Sequence, residues 1–93
     1  MKIEIQQKED NGQGMFYIEH NGEIAGELTY SIEDDGVMTL NHTEVKPELE
    51  GKGAASELVK HSVEYARKKN IKIDPLCPYA AHQFKKHEEY RDV

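Results

Sequence analysis

The sequence predicts an α+β fold: one mixed, mostly antiparallel five-stranded sheet with two helices, in a single domain spanning residues 1–93. Three observations predict it. Up to Val45, apolar residues recur mainly at every second position, the period of a strand. After Pro47 they recur at helical spacing. Short turn signals separate the segments, and no linker, repeat or low-complexity stretch interrupts them.

The first strand is expected within residues 1–8, where Ile3 and Ile5 alternate with polar neighbours, and the second over 15–20. Asn21-Gly22 stands between two strand-like runs, the strongest short hairpin signal. The third strand is Glu23–Ile32, with Ile24, Leu28, Tyr30 and Ile32 placed on one face by the period of two. Asp34-Asp35-Gly36 turns the chain into a fourth strand, Val37–Val45. Its alternation puts Met38, Leu40, His42 and Glu44 on one side and Val37, Thr39, Asn41, Thr43 and Val45 on the other.

A helix follows the glycine turn, with Ala55, Leu58, Val59, Ser62, Val63 and Ala66 on its inner side and Lys60, Glu64, Arg67 and Lys68 toward solvent. Lys68-Lys69-Asn70 ends it with cations for the dipole and a residue that tolerates a left-handed cap. A fifth strand is expected over 71–76, parallel to the fourth because a helix crosses between them. Residues 80–87 form a second, shorter helix, and 88–93 a loose tail.

Hydrophobic content of 37% with 32% charged residues suits a soluble, folded domain. The N-terminus lacks the apolar centre of a signal peptide, and no stretch is apolar enough to cross a bilayer, so a cytoplasmic protein without membrane contact is expected. A single cysteine, Cys77, excludes an intrachain disulfide and a cysteine-rich zinc site. His82 and His87 are five apart on their helix, on different faces, so no metal site is expected. The net charge of −6 argues against general nucleic-acid binding and weakly favours a cationic partner. An open sheet edge permits a monomer or a weak homodimer.

The most informative segment is Val45-Lys46-Pro47-Glu48-Leu49-Glu50-Gly51-Lys52-Gly53-Ala54-Ala55-Ser56. It ends a strand, turns on two glycines and opens a helix whose first amides have no intrahelical partner. Those amides and the positive end of the helix dipole suit a phosphate or another anion, and the glycines let a ligand lie against the backbone. The pattern is neither a Walker A loop, which needs Gly-Lys-Ser/Thr, nor a dinucleotide fingerprint, which wants a glycine where Ser56 stands.

Glu50-Gly51-Lys52-Gly53-Ala54-Ala55 resembles the acyl-CoA-binding motif of the GNAT N-acetyltransferase superfamily, Gln/Arg-x-x-Gly-x-Gly/Ala. Gly53 and Ala55 match its small positions, and Glu50 replaces the usual Gln or Arg. The chain resembles more closely still the very small members of the YjdJ type. With these it shares His42-Thr43-Glu44-Val45, Pro75-Leu76-Cys77-Pro78-Tyr79 and the His-Glu-Glu-Tyr stretch from His87, so the likeness covers 37–93.

The resemblance implies acetyl-CoA as acyl donor. Val45, Glu50, Gly51, Lys52, Gly53, Ala54, Ala55 and Ser56 would hold it, between fourth and fifth strands that splay apart. It implies an amine or lysine-containing acceptor, and an open acceptor side, because the N-terminal helices of larger members are missing. Lys46, Lys52 and Lys85 are further candidates to meet the CoA phosphates.

Acetyl transfer needs a base for the ammonium and an acid for the departing thiolate. Glu44 is the candidate base, with His42 two residues earlier positioned to share a water with it. Cys77, near the start of the second helix, is a candidate acetyl-accepting nucleophile or a thiol lining the acetyl site; a small buried apolar residue is its plain alternative. Many larger members use a tyrosine as acid, at a place that falls at or next to Phe84 here; either Tyr79 substitutes, or Cys77 or water serves, or chemistry is slow. The alternative to an enzyme is a non-catalytic acyl-CoA-binding or protein-interaction module on the same fold. A scaffold whose glycine turn is merely structural is a third reading.

Overall fold

A computed structural model describes residues 3–93; Met1 and Lys2, part of the expected first strand, lie outside them. The elements are β1 (Gln6–Asp10), β2 (Gln13–His20), β3 (Glu23–Ile32), β4 (Val37–Val45), α1 (Ala54–Lys69), β5 (Lys72–Asp74) and α2 (Pro78–Lys86). Single 3-10 turns stand at Pro47–Leu49 and Glu88–Tyr90. The five strands form one sheet in chain order, antiparallel from β1 to β4 and parallel between β4 and β5. This is the α+β arrangement the sequence predicts.

Two hairpins turn on Asn-Gly. Asn11 and Gly12 have φ of 53° and 78°, Asn21 and Gly22 of 55° and 77°, the left-handed pair that matches strand twist. The first of these moves β1 later than expected, to Gln6–Asp10, and starts β2 at Gln13. Ile3 and Ile5 precede β1 and pack, half-buried, against the core.

Two register shifts change which side chains share a face. One lies between Ile18 and Glu19 opposite Ala25, so Ala25 is buried while Ile24 is 37% exposed, not on the core face as alternation predicts. The other lies between Thr29 and Tyr30 opposite Asn41. Past that bulge, β4 reverses phase. Thr43 pairs with buried Leu28 and joins the face of Met38 and Leu40, whereas His42 and Glu44 pair with Thr29 and Glu27 on the other face. The expected grouping of His42 and Glu44 with Met38 and Leu40 is therefore wrong by one bulge.

Leu58, Val59, Val63 and Ala66 of α1 close over Phe16, Ile18, Leu28, Tyr30, Met38 and Leu40. Burying each such Leu side chain contributes about 1.5–3 kcal/mol. Asn70, with φ of 60°, caps α1 in the left-handed conformation and returns its amide toward Ala66 and Arg67. β5 is shorter than the expected 71–76 because Pro75 follows its third residue. α2 begins two residues earlier than expected, with Pro78 in its first turn where a missing N–H costs nothing. It lies on the same face as α1: Ala80 is in the core, and Cys77 at its head meets Thr43 on the helix side of β4. The opposite face of the sheet carries no helix among the described residues.

The C-terminal segment is not a loose tail. Tyr90 is 7% exposed and stacks with Phe84 at 5.4 Å. Arg67 binds Asp92 through Nε and a terminal nitrogen, both at 2.8 Å, and Lys72 Nζ reaches the Asp92 carbonyl at 2.9 Å. Buried Tyr90 and the bidentate Arg67–Asp92 pair fasten the segment that the sequence reading left loose.

β1 is fully exposed along its length, yet it is fastened from beneath. The Tyr30 hydroxyl accepts a hydrogen bond from Gln7 at 2.7 Å and donates one to Glu9 at 2.8 Å, and Tyr65 of α1 donates to the same Glu9 oxygen at 3.0 Å. Burial, with Glu9 beside it, pushes the Tyr30 phenol well above its ordinary value, so it stays a neutral donor. Tyr30→Phe leaves Gln7 and Glu9 short of a partner. It is expected to lower stability by about 1–3 kcal/mol in urea unfolding and to speed amide exchange in β1 first. Unchanged β1 exchange would show that the strand is held by its ladder alone.

Candidate functional site

The glycine segment is built outward from Leu49, which is 1% exposed and anchors the 3-10 turn that Pro47 starts. Glu50 is extended, with φ −63° and ψ 141°, and the chain then passes through Gly51 and Gly53 at φ of 77° and 76°. A side chain is strained at those angles, and no protein atom fills the space: a Cβ at Gly51 would meet nothing within 4 Å, and at Gly53 only Ser56 Oγ at 3.8 Å. Gly53 is the N-cap residue of α1 and has no side chain to cap it. Its carbonyl accepts from the Glu57 amide and from Ser56 Oγ, both at 3.0 Å. The earlier amides of the helix remain free to meet a ligand.

These residues border a cleft of about 240 Å³ lined by Val45, Leu49, Glu50, Gly51, Gly53, Ala54, Ala55, Ser56 and Tyr79. Seven of the eight sequence-predicted binding residues thus surround one space. The eighth, Lys52, is exposed and outside the lining. Lys46 is paired with Glu23 at 3.2 Å on another part of the surface, and Lys85 is exposed on α2.

Beside the cleft, β4 and β5 part. Val37, Met38 and Thr39 pair with Lys72, Ile73 and Asp74. The Cys77 amide then donates to the Leu40 carbonyl at 2.9 Å, and the chain turns away into α2. Cys77 is 5% exposed, extended at the N-cap of α2, with its Sγ 3.5 Å from Thr43 Oγ1. Burial pushes its thiol up, but the Ala80 amide, the Thr43 hydroxyl and the Tyr79 and Thr43 amides outweigh it and hold the thiol below its ordinary value. Burial raises the Tyr79 phenol, which keeps it protonated at neutral pH.

His42 and Glu44 are brought together, Nε2 to Oε2 at 3.3 Å, but on the far face of the sheet, 58% and 68% exposed. Thr43, between them in sequence, is the residue that reaches Cys77. Simple alternation concealed it, because the bulge at Asn41 is visible only once the strands are paired. Phe84, where the resemblance led us to look for an acid, packs against Tyr90. Among the described residues, no three His, Cys, Asp or Glu side chains converge in a way that could hold a metal ion. Among the same residues no helix is long and apolar enough to cross a membrane.

The uncapped helix, the open glycines and the parted strands fit a donor with a diphosphate and a long flexible arm. Comparison with known proteins agrees. The family described as GCN5-related N-acetyl-transferase matches residues 15–93. A GCN5-like candidate N-acetyltransferase from Staphylococcus aureus is 35% identical, with a TM-score of 0.73 over 95% of this chain and 85% of that one. The ribosomal-protein-alanine N-acetyltransferase of Brucella melitensis, at 16% identity, shares the fold with a TM-score of 0.67 over 83% of this chain and 62% of its own. The ribosomal-protein-S18-alanine N-acetyltransferase of Escherichia coli, at 21%, does so with 0.60 over 68% and 40%. Among curated proteins none matches by sequence. The chain belongs to the GCN5-related N-acetyltransferase family, whose general acyl donor is acetyl-CoA.

Proposed function

We propose that this single domain transfers an acetyl group from acetyl-CoA to an amine, in the cytoplasm, as a monomer or weak homodimer. One observation carries the reading: an α1 N-terminus without a side-chain cap opens on a cleft that adjoins the β4–β5 parting. The amides of Ala54, Ala55 and Ser56, with the helix dipole, would hold the diphosphate, and Val45 and Tyr79 would line the arm beyond it. When bound, acetyl-CoA supplies an activated thioester at the parting.

Glu44, with His42 against it, takes one proton from the incoming ammonium. The amine nitrogen forms the new C–N bond as the C–S bond breaks, and its second proton ends on the sulfur of the leaving CoA. Tyr79, kept protonated by burial, is the residue best placed on the cleft to relay that proton. Cys77 allows a second route, in which its Sγ takes the acetyl group and hands it to the amine, with the thiol proton passing to the leaving CoA. The alternative reading, an acyl-CoA-binding module without turnover, is favoured by Glu50, an acid on the lining of a cleft meant for phosphates.

Titration with acetyl-CoA should move the amide resonances of residues 51–56, and Glu44→Gln should lower kcat for amine acetylation by about 10²-fold while leaving those shifts intact. Binding without CoA release from any amine would select the module, and no shift at millimolar ligand would end both readings.

Alkylation of Cys77 should rise with pH to a midpoint below that of the same thiol in the urea-unfolded chain, because the folded thiolate is the stabilised form. Thr43→Val should move the midpoint up, and Thr43→Ser should restore it. An acetylated Cys77 seen by intact mass after incubation with acetyl-CoA alone would favour the two-step route. A folded midpoint at or above the unfolded one would remove the basis for a reactive thiol.

A further inference from the structure

The two Asn-Gly turns share a dipeptide and a backbone conformation, yet their surroundings differ. Both asparagines are exposed and left-handed, Asn11 at φ 53° and Asn21 at φ 55°. They stand at opposite ends of the sheet. Asn11-Gly12 lies beside Ile32, where β3 ends, and Asn21-Gly22 leads directly into Glu23, where β3 begins. When glycine follows asparagine, its amide nitrogen reaches the side-chain carbonyl most readily, because no Cβ stands in the way. In a folded chain that approach depends on how freely the peptide between the two residues can turn.

At the first turn it is held. The Gly12 carbonyl accepts from the Ile32 amide at 2.6 Å, and a Cβ on Gly12 would meet the Ile32 carbonyl at 2.7 Å. Unbroken pairing, from Asp10 with Gln13 to Gln6 with Tyr17, runs back from this tip. At the second turn a Cβ on Gly22 would meet nothing within 4 Å. Only the pairs His20 with Glu23 and Glu19 with Ile24 separate that tip from the register shift at Ile18 and Glu19. Asn41 and Asn70 precede His42 and Ile71, whose side chains hinder the same approach.

We propose that Asn21 is a site of spontaneous deamidation, and that Asn11 is protected by its turn's contact with Ile32. The Gly22 amide nitrogen bonds to Asn21 Cγ as the Cγ–Nδ2 bond breaks. The amide proton leaves with the side-chain nitrogen as ammonia, and a cyclic imide remains. Water then opens the imide at either carbonyl, giving aspartate or isoaspartate. Aspartate keeps the backbone and adds a negative charge to the tip. Isoaspartate lengthens the main chain by one carbon, so the two-residue turn loses its left-handed pair. The His20 and Glu23 pairing then parts, and with it the Glu23–Lys46 contact of 3.2 Å. Lys46 follows Val45 of the cleft lining, and its amide donates to the Ala25 carbonyl at 2.7 Å. The change therefore loosens the end of the sheet from which the glycine segment departs.

The test is to age the folded protein at mildly alkaline pH beside the same chain unfolded in urea, and to follow both sites by peptide mass mapping. The ratio of Asn21 to Asn11 conversion should be about five-fold or more higher in the folded protein than in urea, because only the Asn11 tip is pinned. Asn21→Gly, which suits the same turn, should abolish conversion at this position and leave Asn11 slow. In NMR spectra of the aged protein, second resonances should grow at His20, Glu23, Ile24, Ala25 and Lys46, with Gly12 and Ile32 unmoved. The inference is overturned if the ratio is the same folded and unfolded, if neither site converts in the fold while both do in urea, or if the aged protein shows no second set from His20 to Ala25.

Discussion

The hydrogen bond from the Cys77 amide to the Leu40 carbonyl, 2.9 Å long, governs the rest of the architecture. It is the last rung between β4 and β5. Pro75 and Pro78 bracket it, and neither has an N–H with which to extend the ladder. The chain must leave the sheet here and enter α2. β4 nevertheless continues to Val45, so its far half has β3 on one side and an opening on the other. The glycine turn, the start of α1 and Tyr79 close around that opening and make the cleft. Without the two prolines β5 would run on along β4, and the uncapped helix would face a continuous sheet.

Much of this was legible in the sequence, because it rests on local chemistry. Period-two runs located β3 and β4 to the residue, and the Gly51–Gly53 turn announced an uncapped helix start. Asn11-Gly12 carried the same hairpin signal as Asn21-Gly22 and would have placed β1 correctly. The bulges at Ala25 and Asn41 were not legible. Each is a misfit between two strands, created by pairing, and nothing in the composition of either strand marks it. The helix-side and outer-side assignments of Ile24, His42, Thr43 and Glu44 therefore had to come from the register. The folded C-terminal segment was hidden for a similar reason: Arg67 and Asp92 are far apart in sequence, and only packing brings them within 2.8 Å.

Electrostatics divides the two sides of the site. On the proposed reading the donor side would rely on backbone dipoles rather than on lysines: Lys52 is exposed and not part of the cleft lining, Lys46 is paired with Glu23, and Glu50 sits on the lining. Amide donors hold an anion at fixed geometry and contribute most where water is scarce. In a chain of net charge −6 this arrangement would let the surface attract a cationic acceptor while the cleft still took a phosphate.

The bulge at Asn41 joins these sides. If β4 kept strict alternation, Thr43 would face the solvent side and His42 with Glu44 the helix side, so a carboxylate would lie beneath α2 next to Cys77. Burying that charge without a cation would be costly, and it would push the Cys77 thiol up instead of down. One extra residue reverses the phase. It delivers a neutral hydroxyl to the buried thiol and sends the carboxylate and imidazole out to the open face, where an ammonium can reach them. An acyl group held in the β4–β5 parting would then have its buried, polarisable neighbours on one side of the sheet and its proton acceptor on the other. The nucleophile would have to approach from the face that no helix covers.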